Sequence, residues 1–174
     1  MLPIFIGFFG LFFNEPVYET ISQQIQKKYE SETLRPMGIS ITSLGGSSKK
    51  GIKTIHMGVA TKGPGTIEDS RRLMVYLLTT LIQNYNDNPS IRPYLLDYPF
   101  TAKNIDFTIS FNDPTGLFWV KDKSKNDEEQ IAYVTNHHGV LNFMVDDSGE
   151  LGSLRSVAKE MFEDSVRIVQ REKF

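Results

Sequence analysis

Apolar and polar positions follow one another along this chain in patterns that divide most of it into secondary-structure elements. Apolar side chains recur at three- and four-residue steps over residues 18–29, which predicts an amphipathic helix that ends before Arg35. Apolar residues then alternate with polar ones over residues 37–42 and again over 55–59, and this period of two predicts a pair of strands. The glycine- and serine-rich stretch at 45–51 predicts that the pair is a hairpin with a long loop.

A second helix is predicted to follow this hairpin. Thr66 and Asp69 have the spacing of a capping signature, and the pattern continues to about Tyr85. The Asn-Asp-Asn-Pro sequence at 86–89 then ends the helix. Its centre, Leu73–Leu78, is apolar on every side, so we expect this helix to be the most buried one.

The C-terminal half of the chain predicts four more strands and a last helix. The Asn-His-His-Gly sequence at 136–139 predicts a tight turn between two of these strands, with glycine in a left-handed conformation. An apolar stripe from Leu154 to Ile168 predicts an amphipathic C-terminal helix. The four predicted strands cover residues 105–111, 117–121, 131–135 and 140–145.

The element order is therefore α-ββ-α-ββββ-α, and it predicts an α+β fold. Strands that follow one another along the chain imply an antiparallel sheet, and helices inserted between them cover its apolar face. We expect a two-layer sandwich in which helices cover one face of an antiparallel sheet of about six strands. A chain of 174 residues is near the usual size of one domain, so residues 14–174 are predicted to form a single domain.

Composition argues against several classes of function. The chain has 19 basic and 21 acidic residues, a formal charge of −2 and no basic stripe, so a nucleic-acid surface is not expected. It contains no cysteine, which excludes disulfides, thiolate zinc sites and a cysteine nucleophile.

The first residues, Met1–Phe13, form an uncharged apolar run. A helix of this length reaches about 20 Å, whereas the hydrocarbon core of a bilayer is about 30 Å thick. The length fits the apolar region of a secretory signal, which predicts a periplasmic or secreted protein. No basic residue precedes the run and no clear cleavage pattern precedes Asn14, so a membrane tether or a buried segment of a cytoplasmic protein stays open. Membrane contact is expected only through this segment, if it is uncleaved.

The candidates for catalysis are His56 and Asp106. Each lies on the polar side of its strand, so the two side chains could pair as base and orienting carboxylate if the strands are neighbours. Polar residues are also the expected background on the open face of an antiparallel sheet. A hydrolase-like activity is therefore the alternative hypothesis, with a nucleophile drawn from Ser40, Thr54, Thr108 or Ser110.

Other polar motifs are interpreted as structural. His137 and His138 are adjacent, and adjacent strand residues point to opposite faces, so we expect turn residues rather than zinc ligands. The loop at 45–51 lacks the Gly-Lys-Ser/Thr order of a phosphate-binding loop, and the acidic stretch at 146–150 lacks the order of a calcium loop. No metal site and no cofactor are therefore predicted.

Aromatic residues are the candidates for recognition. Residues 117–120 are apolar on both strand faces, so one of these faces needs cover. The proline-containing connector at 91–100 is predicted to pack as an ordered segment and to supply that cover, and a bound partner is the alternative. The candidate binding residues are Tyr94, Tyr98, Phe118 and Trp119.

Residues 71–113 resemble a segment shared by small exported bacterial proteins of unknown role. In those proteins, as in this chain, an Arg-Arg-Leu helix leads into Ile-Arg-Pro-Tyr-Leu and then into Tyr-Pro-Phe-Thr. In this chain the three motifs begin at Arg71, Ile91 and Tyr98, respectively. The resemblance covers about a quarter of the chain. It implies an exported bacterial origin and supplies no catalytic residues.

The leading prediction for function is a non-enzymatic binding or structural domain of the bacterial envelope. Its partner would be a protein, a peptide or an envelope component. A hydrolase that uses His56 and Asp106 is one alternative, and a structural subunit tethered by Met1–Phe13 is another.

Overall fold

One open sheet, with its strands in sequence order, organises the molecule. The computed structural model describes residues 16–47, 50–63, 65–112, 122–147 and 153–172, and within these ranges the sheet has six strands in the order β1-β2-β3-β4-β5-β6. Neighbouring strands are antiparallel except β2 and β3, which are parallel. The strands are Ser40–Ser47 (β1), Thr54–Lys62 (β2), Ile105–Asn112 (β3), Tyr133–His137 (β4), Val140–Asp146 (β5) and Leu154–Met161 (β6).

Helices cover one face of this sheet. They are α1 (Val17–Tyr29), α2 (Ile67–Asn86) and α3 (Phe162–Arg171). A π-helical turn, Glu30–Leu34, extends α1, and none of the helices in the described ranges is both long and apolar enough to cross a bilayer. Short 3₁₀ turns lie at Arg35–Met37, Arg92–Tyr94, Ala102–Asn104 and Asp127–Glu129.

A hydrophobic core lies between the helices and the sheet. Apolar residues on the inner side of β3, such as Phe107 and Ile109, pack with Leu77 and Leu78 of α2. The phenol of Tyr29 donates a hydrogen bond of 3.0 Å to the carbonyl of Leu77, which fixes the end of α1 on α2. The predicted two-layer α+β sandwich and its element order are confirmed, with one parallel strand pair inside an otherwise antiparallel sheet.

The second helix follows its prediction closely. Thr66 caps α2, because its hydroxyl oxygen accepts a hydrogen bond of 3.0 Å from the backbone N–H of Asp69. The helix ends at Asn86, and six of its residues are completely buried. These six are Ser70, Met74, Leu77, Leu78, Leu81 and Tyr85.

Two predicted elements differ from the structure. Residues 45–47 belong to β1 rather than to the hairpin loop, because they pair with β2 as far as Thr54. Residues 154–161 form β6 rather than the first half of a helix, and α3 begins only at Phe162. The predicted strand at 117–121 and the apolar segment Met1–Phe13 lie outside the described residues.

Candidate functional site

A groove of about 450 Å³ lies between α1 and the hairpin of β1 and β2. Its volume is in the range of pockets that accept small ligands or single side chains. We call it the α1–β1 groove. Its walls include Tyr18, Glu19, Ser22, Gln23 and Gln26 from α1, Leu44, Gly45 and Gly46 from β1, Ile52 from the hairpin loop, and Thr54 and Ile55 from β2.

The helical wall of the groove follows from residue spacing in α1. Ile21 and Ile25 pack towards the core. Tyr18, Ser22 and Gln26 recur at four-residue steps on the flank of that stripe, so one turn after another presents a groove residue.

Hydrogen bonds hold the polar part of this wall in place. The hydroxyl of Ser22 lies 2.7 Å from the phenol oxygen of Tyr85, and the amide nitrogen of Gln26 donates to the same oxygen at 3.2 Å. Burial raises the pKa of Tyr85 above its ordinary value, and the hydrogen bonds with Ser22 and Gln26 act in the opposite direction. The phenol therefore stays neutral at physiological pH and fixes two groove side chains.

The strand wall of the groove is apolar and open. Leu44 lies opposite Met57 in the sheet, so its side chain projects on the helical side, and yet it is 51% exposed. Ile52 and Ile55 are buried behind it. Leu44 and the buried isoleucines behind it therefore form an apolar surface that exists before any ligand binds.

The groove carries little charge. Among the described residues that line it, Glu19 is the only charged one. The remaining polar groups are neutral amides, hydroxyls and backbone groups. The groove therefore suits a ligand that combines an apolar part with neutral polar groups and a single cationic group.

A second polar arrangement lies on the opposite face of the sheet. His56 and Asp106 occupy paired positions on the parallel strands β2 and β3, and their side chains approach to 3.1 Å between Nδ1 and Oδ2. His137, at the end of β4, places its Nδ1 2.8 Å from the other oxygen of the same carboxylate. We call these three residues the His–Asp–His cluster.

The cluster holds both imidazoles in a defined orientation. An ionised carboxylate only accepts hydrogen bonds, so each contact requires a hydrogen on Nδ1 of the histidine. In the neutral form of each ring, Nε2 is then the atom with a free lone pair, which is the arrangement of a general base. The structure thus brings the predicted pair His56 and Asp106 together and adds His137, which the sequence had assigned to a turn.

Among the described residues, several features of a hydrolytic site are not found around the cluster. The histidine side chains are 50% and 68% exposed, and neither lines the α1–β1 groove. Ser110, one of the predicted nucleophiles, donates its hydroxyl to the carbonyl of Val59. Over the described ranges, no three histidine, aspartate or glutamate side chains converge in a way that would hold a metal ion.

The aromatic candidates occupy separate places. Tyr94 packs its ring 5.6 Å from that of Tyr18, which lines the groove, and its carbonyl accepts a hydrogen bond from the N–H of Ile52. Tyr98 is 50% exposed and lies against the guanidinium of Arg92. Phe118 and Trp119 lie outside the described residues, and so does the contact predicted between them and the connector.

Sequence reasoning missed most of the groove. Gly45 and Gly46 belong to the stretch that the sequence predicts as a loop, and Leu44 lies directly before that stretch, outside both predicted strands. Ser22 and Gln26 lie in the helix predicted over residues 18–29, but nothing in its pattern singles them out.

Comparison with known proteins does not identify the chain: no family model, no curated protein and no solved structure matches it.

Proposed function

We propose that this chain is a non-enzymatic binding domain whose ligand occupies the α1–β1 groove. The observation that carries the proposal is the groove itself, in which an exposed Leu44 faces polar side chains that Tyr85 holds in place. Apolar surface with a few fixed polar groups is the usual composition of a binding site. If Met1–Phe13 is an export signal, the partner is a protein, a peptide or another component of the bacterial envelope.

The proposal predicts that small apolar probes bind in the groove. We would titrate a ¹⁵N-labelled full chain with a fragment library and follow the backbone amide signals. Fragments that bind should shift the signals of residues 18–26 and 44–46. Leu44→Ser should weaken this binding about tenfold, because it removes the exposed apolar contact.

Leu96→Ser is the matched control for this experiment. Leu96 is 54% exposed, slightly more than Leu44, but it does not line the groove. The control variant should therefore bind fragments as the wild type does. Equal losses in both variants, or shifts that map away from the groove, would contradict a binding function at this site.

A second candidate function is hydrolysis by the His–Asp–His cluster. It is favoured by the carboxylate of Asp106, which orients two imidazoles at 3.1 and 2.8 Å. A water molecule at Nε2 of His56 could lose its proton to the ring as its oxygen attacks an ester carbonyl, and the ring would then return the proton to the leaving alcohol.

This second candidate is tested with p-nitrophenyl acetate and bis-p-nitrophenyl phosphate as substrates. A hydrolase would show turnover that His56→Gln and Asp106→Asn each lower by about a hundredfold. His138→Gln is the control, because His138 contacts the ring of His137 and is not bonded to Asp106 in the structure. Rates equal to those of the buffer, unaffected by any of the three changes, would end this hypothesis.

A further inference from the structure

In the part of the chain that the structure describes, the outer edge of β1 pairs with no other strand, and it lies beside the α1–β1 groove. Within the described part of the chain, β1 is the first strand of the sheet and pairs only with β2. Alternate residues of such a strand direct their N–H and C=O groups away from the sheet. One class of ligand complements this edge through its own backbone, namely an extended polypeptide.

The two edges of the sheet differ in how far they permit strand addition. β1 has the sequence Ser-Ile-Thr-Ser-Leu-Gly-Gly-Ser and contains neither a charged residue nor a proline. β6, at the other edge, carries Arg155, Lys159 and Glu160. Charged side chains and prolines are the usual obstacles to pairing at an edge. In the described sheet, the β1 edge is therefore the one that an added strand can use.

The part of β1 that pairs with β2 without a register shift also lines the groove. After an irregularity between Ile41 and Ser43, residues 43–47 pair without interruption with residues 58–54 of β2. Five residues of strand span about 16 Å, enough for several main-chain hydrogen bonds to a ligand. Leu44 and Gly45 lie within this span and also form the strand wall of the groove.

Gly45 is not needed for the packing of the sheet itself. A methyl group at this position would meet the Cβ of His56 at 3.8 Å, an ordinary van der Waals contact. Glycine inside a strand weakens it, and it often marks a place where another backbone approaches closely. A peptide that adds to β1 supplies such a backbone.

The charge of the groove selects among peptides. Glu19 is the only charged residue among the described ones that line it, and it lies in the first turn of α1 opposite the strand wall. A lysine or arginine side chain complements this carboxylate, whereas an acidic peptide is repelled by it.

We propose that the α1–β1 groove binds an extended peptide that adds as a strand to the outer edge of β1. One apolar side chain of the peptide enters the groove against Leu44, and a neighbouring lysine or arginine faces Glu19. This inference rests on the proposed function, because it names the class of ligand for the same groove.

The test uses the ¹⁵N-labelled full chain and a set of acetylated, amidated heptapeptides. Each peptide has threonine at five positions, with one leucine and one lysine moved together through the sequence. The best binder is then made in two further forms, one methylated on its odd-numbered amides and one on its even-numbered amides. A strand directs only every second N–H to its neighbour, so one form should lose affinity about tenfold or more and the other should retain it.

Charge variants test the predicted selectivity. Glu19→Lys should lower the affinity for the lysine peptide about fivefold or more, and it should raise the affinity for a peptide of the same pattern with glutamate in place of lysine. Glu68→Lys is the matched control, because it makes the same charge change in the first turn of α2, away from the groove. Glu68→Lys should leave both affinities unchanged.

The outcomes separate this inference from the proposed function. Equal affinity of both methylated forms, with shifts confined to groove residues, would overturn strand addition while leaving a groove that binds ligands. Binding of small fragments without binding of any peptide would overturn the peptide as ligand. A dimer of the chain through β1 that excess peptide does not dissociate would show that a second copy occupies the edge, and this too would overturn the inference. Absence of fragment and peptide binding together would reject the proposed function as well.

Discussion

At the scale of single residues, the ionisation of the buried residue Tyr133 should make the free energy of unfolding depend on pH. Burial, together with the nearby carboxylate of Asp146, raises the pKa of Tyr133 to about 12. A tyrosine in an unfolded chain ionises near pH 10, so above that pH the unfolded state gives up this proton first. The stability contributed by neutral Tyr133 is therefore fully present below about pH 10 and is lost as the pH rises through 12.

Replacing this phenol should reduce the sensitivity of the protein to alkaline pH. Between pH 8 and pH 11 we expect the free energy of unfolding of Tyr133→Phe to fall by about 1 kcal/mol less than that of the wild type. Urea unfolding followed by circular dichroism at the two pH values measures this difference. Tyr98→Phe is the control, because Tyr98 is half exposed. An equal fall in Tyr133→Phe and the wild type would show that Tyr133 does not ionise differently in the two states.

The residues of the His–Asp–His cluster show what a sequence can predict about a site. His56 and Asp106 were found from alternation, because both lie on the polar side of a clearly patterned strand. That the two strands are neighbours could not be read from the pattern, since it depends on how α2 returns the chain to the sheet. His137 was missed because β4 continues to this residue, two positions beyond the predicted end of the strand.

At the scale of elements, a β-bulge explains the error at the C-terminal helix. Opposite Phe143 and Met144 of β5, the partners in β6 are Ala158 and Ser156, so Val157 is the extra residue. The bulge lets both Val157 and Ala158 pack against the core. Apolar residues at 154, 157, 158 and 161 then have helical spacing in the sequence although they belong to a strand. A period alone does not distinguish a bulged edge strand from a helix.

The capping of α2 is an element-scale feature that the sequence predicted and that mutation can test. The hydroxyl of Thr66 accepts a hydrogen bond from the N–H of Asp69, so Thr66→Ala leaves that donor without this partner. We expect the free energy of unfolding to fall by about 1 kcal/mol, measured by urea denaturation. Thr20→Ala, at an exposed position within α1, is the control and should be neutral or slightly stabilising. A similar loss in both variants would mean that the cap does not account for the effect.

At the scale of the whole molecule, the fold was predictable because local patterns and topology agree. Amphipathic helices, half-buried strands and turn residues each indicated the same two-layer arrangement. The sequence predicts an antiparallel sheet, whereas β2 and β3 are parallel. Parallel neighbours need a crossover connection, which α2 provides here, and the strand patterns alone do not show where the chain returns to the sheet. The α1–β1 groove was not predictable either, since it exists only once α1 lies beside the hairpin.

The N-terminal segment provides the last prediction at this scale. In the described residues, every buried hydrophobic side chain lies between Ile25 and Val169. If Met1–Phe13 is an export signal, the mature chain begins near Asn14 and keeps this core. A variant that starts at Asn14 should therefore unfold at the same urea concentration as the full chain. If the segment is such a signal, mass spectrometry of the protein expressed in a bacterial host should find a chain of that shorter length.

The two measurements together decide between the predicted roles of the segment. A full-length mass with unchanged stability of the shortened variant would indicate a membrane tether. A lower urea midpoint for the shortened variant would mean that the apolar run packs on the domain, contrary to an export signal. In that case the affinity for the leucine–lysine peptide becomes informative, because a segment that occupies the α1–β1 groove competes with the peptide and its removal would raise the affinity.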